Sequence, residues 1–156
     1  MIITASDVPD TSLVTDFTAF CHGCSSITSF PLIDTSSGLY FSWAWRSCSS
    51  LTSFPLIDTS SGLFFQSTWS DCTGLDGYDF PTINMGSMTD GASCFSGVTL
   101  STTSYSDLLI SIENLNINTG IDFHGGNSKY NVAGGVARTA LTSRVPAWTI
   151  SDGGAE

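Results

Sequence analysis

Apolar side chains recur along this chain with a period of 24 residues. Phe17, Phe41 and Phe65 are 24 apart, as are Cys21, Trp45 and Trp69. Residues 24–47 read CSSITSFPLIDTSSGLYFSWAWRS and residues 48–71 read CSSLTSFPLIDTSSGLFFQSTWSD, identical at 17 of 24 positions. Each unit carries two apolar patterns. Leu51-x-x-Phe54-x-Leu56 has the spacing of a short strand and its approach. Phe65-x-x-x-Trp69-x-x-Cys72 places apolar groups at i, i+4 and i+7, which predicts one or two helical turns with a single buried face. Gly38 and Gly62 are expected to let the chain turn between the two parts. One such unit cannot bury its own apolar face, so units must stack and share a core.

Weaker echoes extend the period. Val8-Pro9 and Asp10-Thr11-Ser12 echo the FP and DTS of the full units. Phe80-Pro81-Thr82-Ile83-Asn84 echoes FPLID after a two-residue insertion, and Cys94 follows Cys72 at a shorter step of 22. The expected fold is an α/β repeat solenoid: a short stack of 24-residue units closed by a C-terminal α+β cap. Its parts are a degraded N-terminal unit over residues 1–23, the repeats over 24–100 and the cap over 101–156. In the last part Ser104 with Asp107 predicts a helix start, with Leu108, Leu109, Ile112 and Leu115 on the buried side. A short strand is expected at Ile121-Asp122-Phe123, a turn at Gly125-Gly126-Asn127, a second helix from about Asn131 to Ser143 and a final strand at Trp148-Thr149-Ile150. A stack needs such a closure, because its last unit would otherwise leave an open apolar end and free strand edges.

The aromatic-rich stretch, the Cys and the Leu three residues after it resemble the BspA-type leucine-rich repeats of bacterial and phage surface proteins. The resemblance covers roughly residues 8–100. The stretch 126–154, with GNSKY, ARTAL and WTISDGG, is similar to the module that closes many of those proteins. Trp45 and Trp69 depart from it, since relatives often carry other apolar residues there. The resemblance implies an adhesin or a receptor-recognition role, with a glycan or protein on a host surface as partner.

Composition narrows the function. Fourteen acidic residues face four basic ones, for a net charge of −10, and 26 Ser with 19 Thr take the place of charged groups. Lys129, Arg46, Arg138 and Arg144 cannot neutralise a run of phosphates, so nucleic-acid binding is excluded; an anionic membrane surface is disfavoured. No apolar run reaches the roughly 20 residues of a membrane span. Met1 to Ser12 has neither a positive charge nor a long apolar run, so no secretory signal is expected. Taken with the resemblance, this makes a virion surface reached after assembly in the host cytoplasm the expected location, with a cytoplasmic or cell-surface location as the alternative.

Catalytic and metal chemistry finds little support. Cys21-His22-Gly23-Cys24 is a CxxC, but Cys24 falls on the repeat position, Cys21 on the Trp position, and no second pair completes a zinc site. His124-Gly125-Gly126 lacks the GxSxG elbow that would make it an esterase oxyanion loop. Asp34 and Asp58, each before Thr-Ser, read as turn-capping groups rather than calcium ligands. No enzyme, cofactor or metal is expected. The expected ligand-binding residues are Thr28, Ser29, Thr52 and Ser53, a hydroxyl stripe between inward positions, together with Trp43 and Arg46, where the two full repeats differ and binding-type side chains appear. The expected function is a non-catalytic interaction module of a phage virion, a tail fibre or tail-associated part, whose partners are a host-surface glycan or protein and other virion proteins. A homo-oligomer is compatible with this. The alternatives are a purely structural virion decoration or spacer, and a cytoplasmic protein-binding regulator.

Overall fold

The computed structural model describes residues 9–156. The part of the expected N-terminal unit in residues 1–8, including the echo at Val8, lies outside them. Successive units lie against one another in parallel. Asp16 bridges Tyr40, Tyr40 bridges Phe64 and Phe64 bridges Asp90, while Ser29 bridges Ser53 in the other half of the unit. The backbone shows how the second half of each unit is built. The N–H groups of Phe41, Trp43, Trp45 and Ser47 donate to the carbonyls of Phe64, Gln66, Thr68 and Ser70 in the next unit. Those of Ala44, Arg46 and Cys48 donate back to Phe41, Trp43 and Trp45 in the same unit. Alternate donors therefore serve two directions, and no i→i+4 ladder forms.

This overturns the expected α/β repeat solenoid. Between residues 9 and 100 the only helical element is a single 3-10 turn, Thr73–Leu75, and pairing is limited to single bridges. Among the described residues the α-helices are two and the only sheet is two-stranded and parallel, all C-terminal to residue 100. The physical reason is a left-handed residue at every fourth position. Trp43 and Ser47, then Ser67 and Asp71, have φ between 53° and 61°, with Ala19/Gly23 and Ser93/Gly97 at the equivalent places. A positive φ breaks an α-helix, so the i, i+4, i+7 spacing marks a string of tight turns. Phe65, Trp69 and Cys72 still share one fully buried side.

The strand register also differs. Leu51, Phe54, Ile57 and Thr59 point inward, while Leu56, expected inward, is 62% exposed. Buried Thr59 donates its hydroxyl to the Asn84 carbonyl at 2.6 Å, as Thr35 does to Asp58 and Thr11 to Asp34. Gly38 and Gly62 have ordinary φ values. What they supply is room, since a Cβ there would collide with the ring of Phe41 or Phe65. Cys94 is not the repeat cysteine either. Its carbonyl accepts from Trp69 N–H, the place held by Thr68 one unit earlier, and Phe95 stacks on Trp69 at 5.1 Å.

Aromatic ladders fill the core. Phe17, Phe41 and Phe65 stack at 5.3 Å per step. Trp45, Trp69 and Phe95 form a second ladder and Phe30, Phe54 and Phe80 a third, which meets the second edge-on at 4.9–5.5 Å. Each pair adds about 0.5–1.5 kcal/mol beyond its buried area.

Helix α1 is Thr102–Leu115, capped by the Ser101 side chain on Ser104 N–H, so it begins before the expected Ser104. Leu115, expected on its buried side, is largely exposed. Strand β1 is Asp122–His124, α2 is Val132–Thr142 with Asn131 as its cap, and β2 is Thr149–Ser151. Both strands sit one residue later than expected. Gly134 lets α2 approach α1, because a Cβ there would reach Ser106 at 2.8 Å. β1 pairs with β2 in parallel and also accepts from Gly91 and Phe95 N–H groups at 3.0 Å, so it covers the donor edge left by the last turn row. Asp152, whose side chain is buried, receives hydrogen bonds from Arg138 Nε and the Tyr105 hydroxyl. Burial, more than the neighbouring carboxylate, pushes the Tyr105 hydroxyl well above its ordinary pKa.

Leu51→Ala and Ile57→Ala should each lower stability by about 2–5 kcal/mol, while Leu56→Ala should stay within about 0.5 kcal/mol. Denaturant unfolding checks this, and equal losses at 56 and 57 would restore the strand register expected from sequence.

Candidate functional site

The outward side of the turn rows carries two of the six candidate residues, Trp43 and Arg46, and an aromatic pair. Tyr40 and Phe64 hold equivalent positions and stack at 5.3 Å with their planes 3° apart. Tyr40 is 42% exposed. The row continues to Asp16 on one side and Asp90 on the other. These carboxylates accept the Thr18 and Ala92 N–H groups at 2.8 and 2.9 Å. Hydrogen bonds from the Thr18 side chain and N–H hold the Asp16 carboxyl below its usual range.

Trp43, three residues after Tyr40 in the same turn row, is 40% exposed, at a φ of 59°. The equivalent positions elsewhere carry Ala19, Ser67 and Ser93 at the same left-handed φ. A bulky aromatic there is uncommon and pays about 1–2 kcal/mol of backbone strain. What the fold requires there is a positive φ, which Ala or Ser meets in the other units, and Trp43 is not among the residues of the buried core.

Arg46 is half-exposed. Its Nε lies 3.8 Å from Asp71 Oδ2, and that buried nitrogen has no hydrogen-bond partner among the described residues. An ion pair this long between two half-exposed side chains contributes little to stability. The other arginines are fixed by the fold. Arg138 holds Asp152 and the Ile150 carbonyl, and Arg144 donates to the carbonyls of Glu113, Asn116 and Asn118.

The hydroxyl stripe is divided. Thr28, Ser29 and Thr52 are exposed and Ser53 is half-buried. Thr52 gives both its N–H and its hydroxyl to the Thr28 carbonyl, at 2.9 and 3.1 Å, so part of the stripe is committed to holding units together. These four residues lie in the other half of the unit from Trp43 and Arg46, and the structure does not gather the six into one site. Tyr40 and Phe64 were missed in the sequence because their variation is aromatic for aromatic. Their outward aromatic character at one repeat position was the available signal.

Asp34 and Asp58 behave as turn caps. Each Oδ1 accepts the N–H and hydroxyl of the Ser two residues on, at 2.7–3.0 Å. Those bonds hold the Asp34 carboxyl below its usual range. Among the described residues no group of three or more His, Cys, Asp or Glu side chains could hold a metal ion, and no helix is long and apolar enough to cross a membrane. All five cysteines are free thiols. Cys48 and Cys72 donate to the carbonyls of Cys21 and Trp45. Burial, then the neighbouring Cys24 and Cys48, pushes the Cys21 thiol up to about 12. Burial also raises Cys94, and the adjoining Cys48 thiol together with burial raises Cys72. Comparisons with known protein families, with curated proteins and with solved structures find no match to this chain.

A thiol-specific disulfide reagent at neutral pH should label exposed Cys24 rapidly and Cys72 and Cys94 only after unfolding, since buried thiols with raised pKa values yield little thiolate. Rapid native labelling of Cys72 or Cys94 would contradict the packing described.

Proposed function

We propose that this protein is a non-catalytic interaction module of a phage virion or tail, reading a host-surface glycan or protein with the outward side of its turn rows. The observation that carries the reading is Trp43. It is an exposed indole held at a strained position where the other units place Ala or Ser. A strained backbone position held by a bulky non-glycine residue points to function. Trp and Arg are the side chains that most often dominate binding energy, and Trp43, Arg46 and the Tyr40/Phe64 pair occupy the same turn rows. Free thiols suit assembly in a reducing cytosol, which fits a virion part that reaches the exterior by particle release.

Mass spectrometry of purified particles and of host cytosol tests the setting. Stoichiometric recovery in particles supports it, and recovery only in cytosol would replace it with a cytoplasmic protein-binding role. Host-cell binding by the isolated protein tests recognition. Trp43→Ser restores the residue found in the other rows, so thermal stability should hold or rise. Binding should weaken by about 2 kcal/mol, roughly 30-fold. Unchanged binding would remove Trp43 from the site, and no binding by the parent protein would favour a structural spacer.

A further inference from the structure

A groove of about 250 Å³ opens on the outer side of β1 and β2, lined by Ala92, Ser93, Asp122, His124, Thr149 and Ser151, with Phe123 beneath. Its chemistry follows from strand alternation. In β1 the side chains of Asp122 and His124 share the outer face while Phe123 is buried. In β2 Thr149 and Ser151 do the same while Ile150 is buried. The parallel register sets Asp122 beside Thr149 and His124 beside Ser151.

We propose that this groove is a saccharide-binding site that takes one ring of a neutral glycan. The proposal rests on the recognition role argued above and narrows its ligand. Gly126 N–H donates to His124 Nδ1 at 3.0 Å, which fixes that nitrogen as an acceptor and leaves Nε2 as the N–H donor of a neutral ring. Asp122 supplies acceptors, and Ser93, Thr149 and Ser151 supply hydroxyls that both donate and accept. Among the described residues none of these four side chains makes an intramolecular hydrogen bond. The hydroxyls of Thr11, Thr35, Thr59 and Thr68, by contrast, are all committed to carbonyls. A mixed set of unengaged donors and acceptors complements sugar hydroxyls, which need both.

Charge and size exclude other occupants. Among the described residues no cation lines the groove, so an anionic ligand would meet Asp122 uncompensated. Asp122 and His124 alone are too few ligands for a stable metal site. The volume falls just below the roughly 300–1,000 Å³ of pockets that take drug-sized ligands, which suits a single ring. The groove also continues the row of the aromatic pair, through Phe64, Asp90, Gly91 and Phe123. Rows advance about 4.8 Å each, so a short oligosaccharide along the stack can reach both the groove and the Tyr40/Phe64 edge.

The test is amide-resolved NMR titration of the whole protein. The probes are neutral trisaccharides of glucose, galactose, mannose and N-acetylglucosamine, with sialyllactose as the anionic control. Shifts centred on Ser93, Asp122, His124, Thr149 and Ser151, weakened at least tenfold in the exposed-site variant Thr149→Val/Ser151→Ala with its melting temperature unchanged, would support the proposal. His124→Gln provides a second variant should that one unfold. Shifts confined to Tyr40, Trp43 and Phe64 would overturn the groove assignment and leave the recognition role standing. No shift with any sugar at tens of millimolar, or groove shifts produced by zinc or calcium ions alone, would overturn it.

Discussion

The structure depends on how backbone donors are shared between units. Every second N–H in a turn row crosses to the next unit, and the others close a tight turn within their own. This sharing requires a left-handed residue every fourth position, at about 1–2 kcal/mol for each one that is not glycine. Six such non-glycine residues are present among those described. The strain is offset because the crossing bonds fix the units in register, so that equivalent side chains must lie on one another. Phe stacks on Phe, Trp on Trp, and the buried hydroxyls of Thr11, Thr35 and Thr59 each find the equivalent carbonyl one unit on.

That register divides the sequence into two kinds of position. Inward positions face their own copies, so a change at one disturbs a whole ladder, and the two full units are nearly identical there. Outward positions face solvent and are free to differ. Trp43 is exposed and Arg46 half-exposed, while their equivalents Ser67 and Ser70 one unit on are buried, so each difference sets a large side chain in one unit against a small covered one in the next. The third unit shows how an irregularity is absorbed. Its two-residue insertion brings Gly91 under Phe65, and the space a side chain would have filled there is taken by the Phe123 ring from β1.

The period, the inward side of Phe65, Trp69 and Cys72, and the span of α2 were legible in the sequence because each rests on spacing alone. The secondary structure of the repeats was not. A 3-4 spacing of apolar residues is shared by an α-helix and by turns that recur every four residues. What separates them is the sign of φ at Trp43, Ser47, Ser67 and Asp71, none of which is glycine. Leu56 misled for a similar reason: a Leu-Ile pair leaves open which of the two turns inward, and Ile57 does. The aromatic pair at Tyr40 and Phe64 was concealed by its resemblance to the core ladders. The groove was legible only in part, since Asp-Phe-His and Thr-Ile-Ser each show polar–apolar–polar alternation, while their side-by-side parallel pairing comes from the fold.

The C-terminal third therefore does more than close an edge. Closing it needs only backbone acceptors, which β1 provides at Asp122 and His124. Those acceptors say nothing about side chains on the solvent face, where Ser or Thr would serve as well as Asp or His. Where the same region needs polar side chains for stability, it ties them down: Asp152 to Arg138 and Tyr105, Arg144 to three carbonyls, Asn116 to Met85 and Met88. Asp122, Thr149 and Ser151 are left without such ties on a face already aligned with the Tyr40/Phe64 row. Placed where the outward row ends, these side chains are where the proposed saccharide running along that row would make its polar contacts.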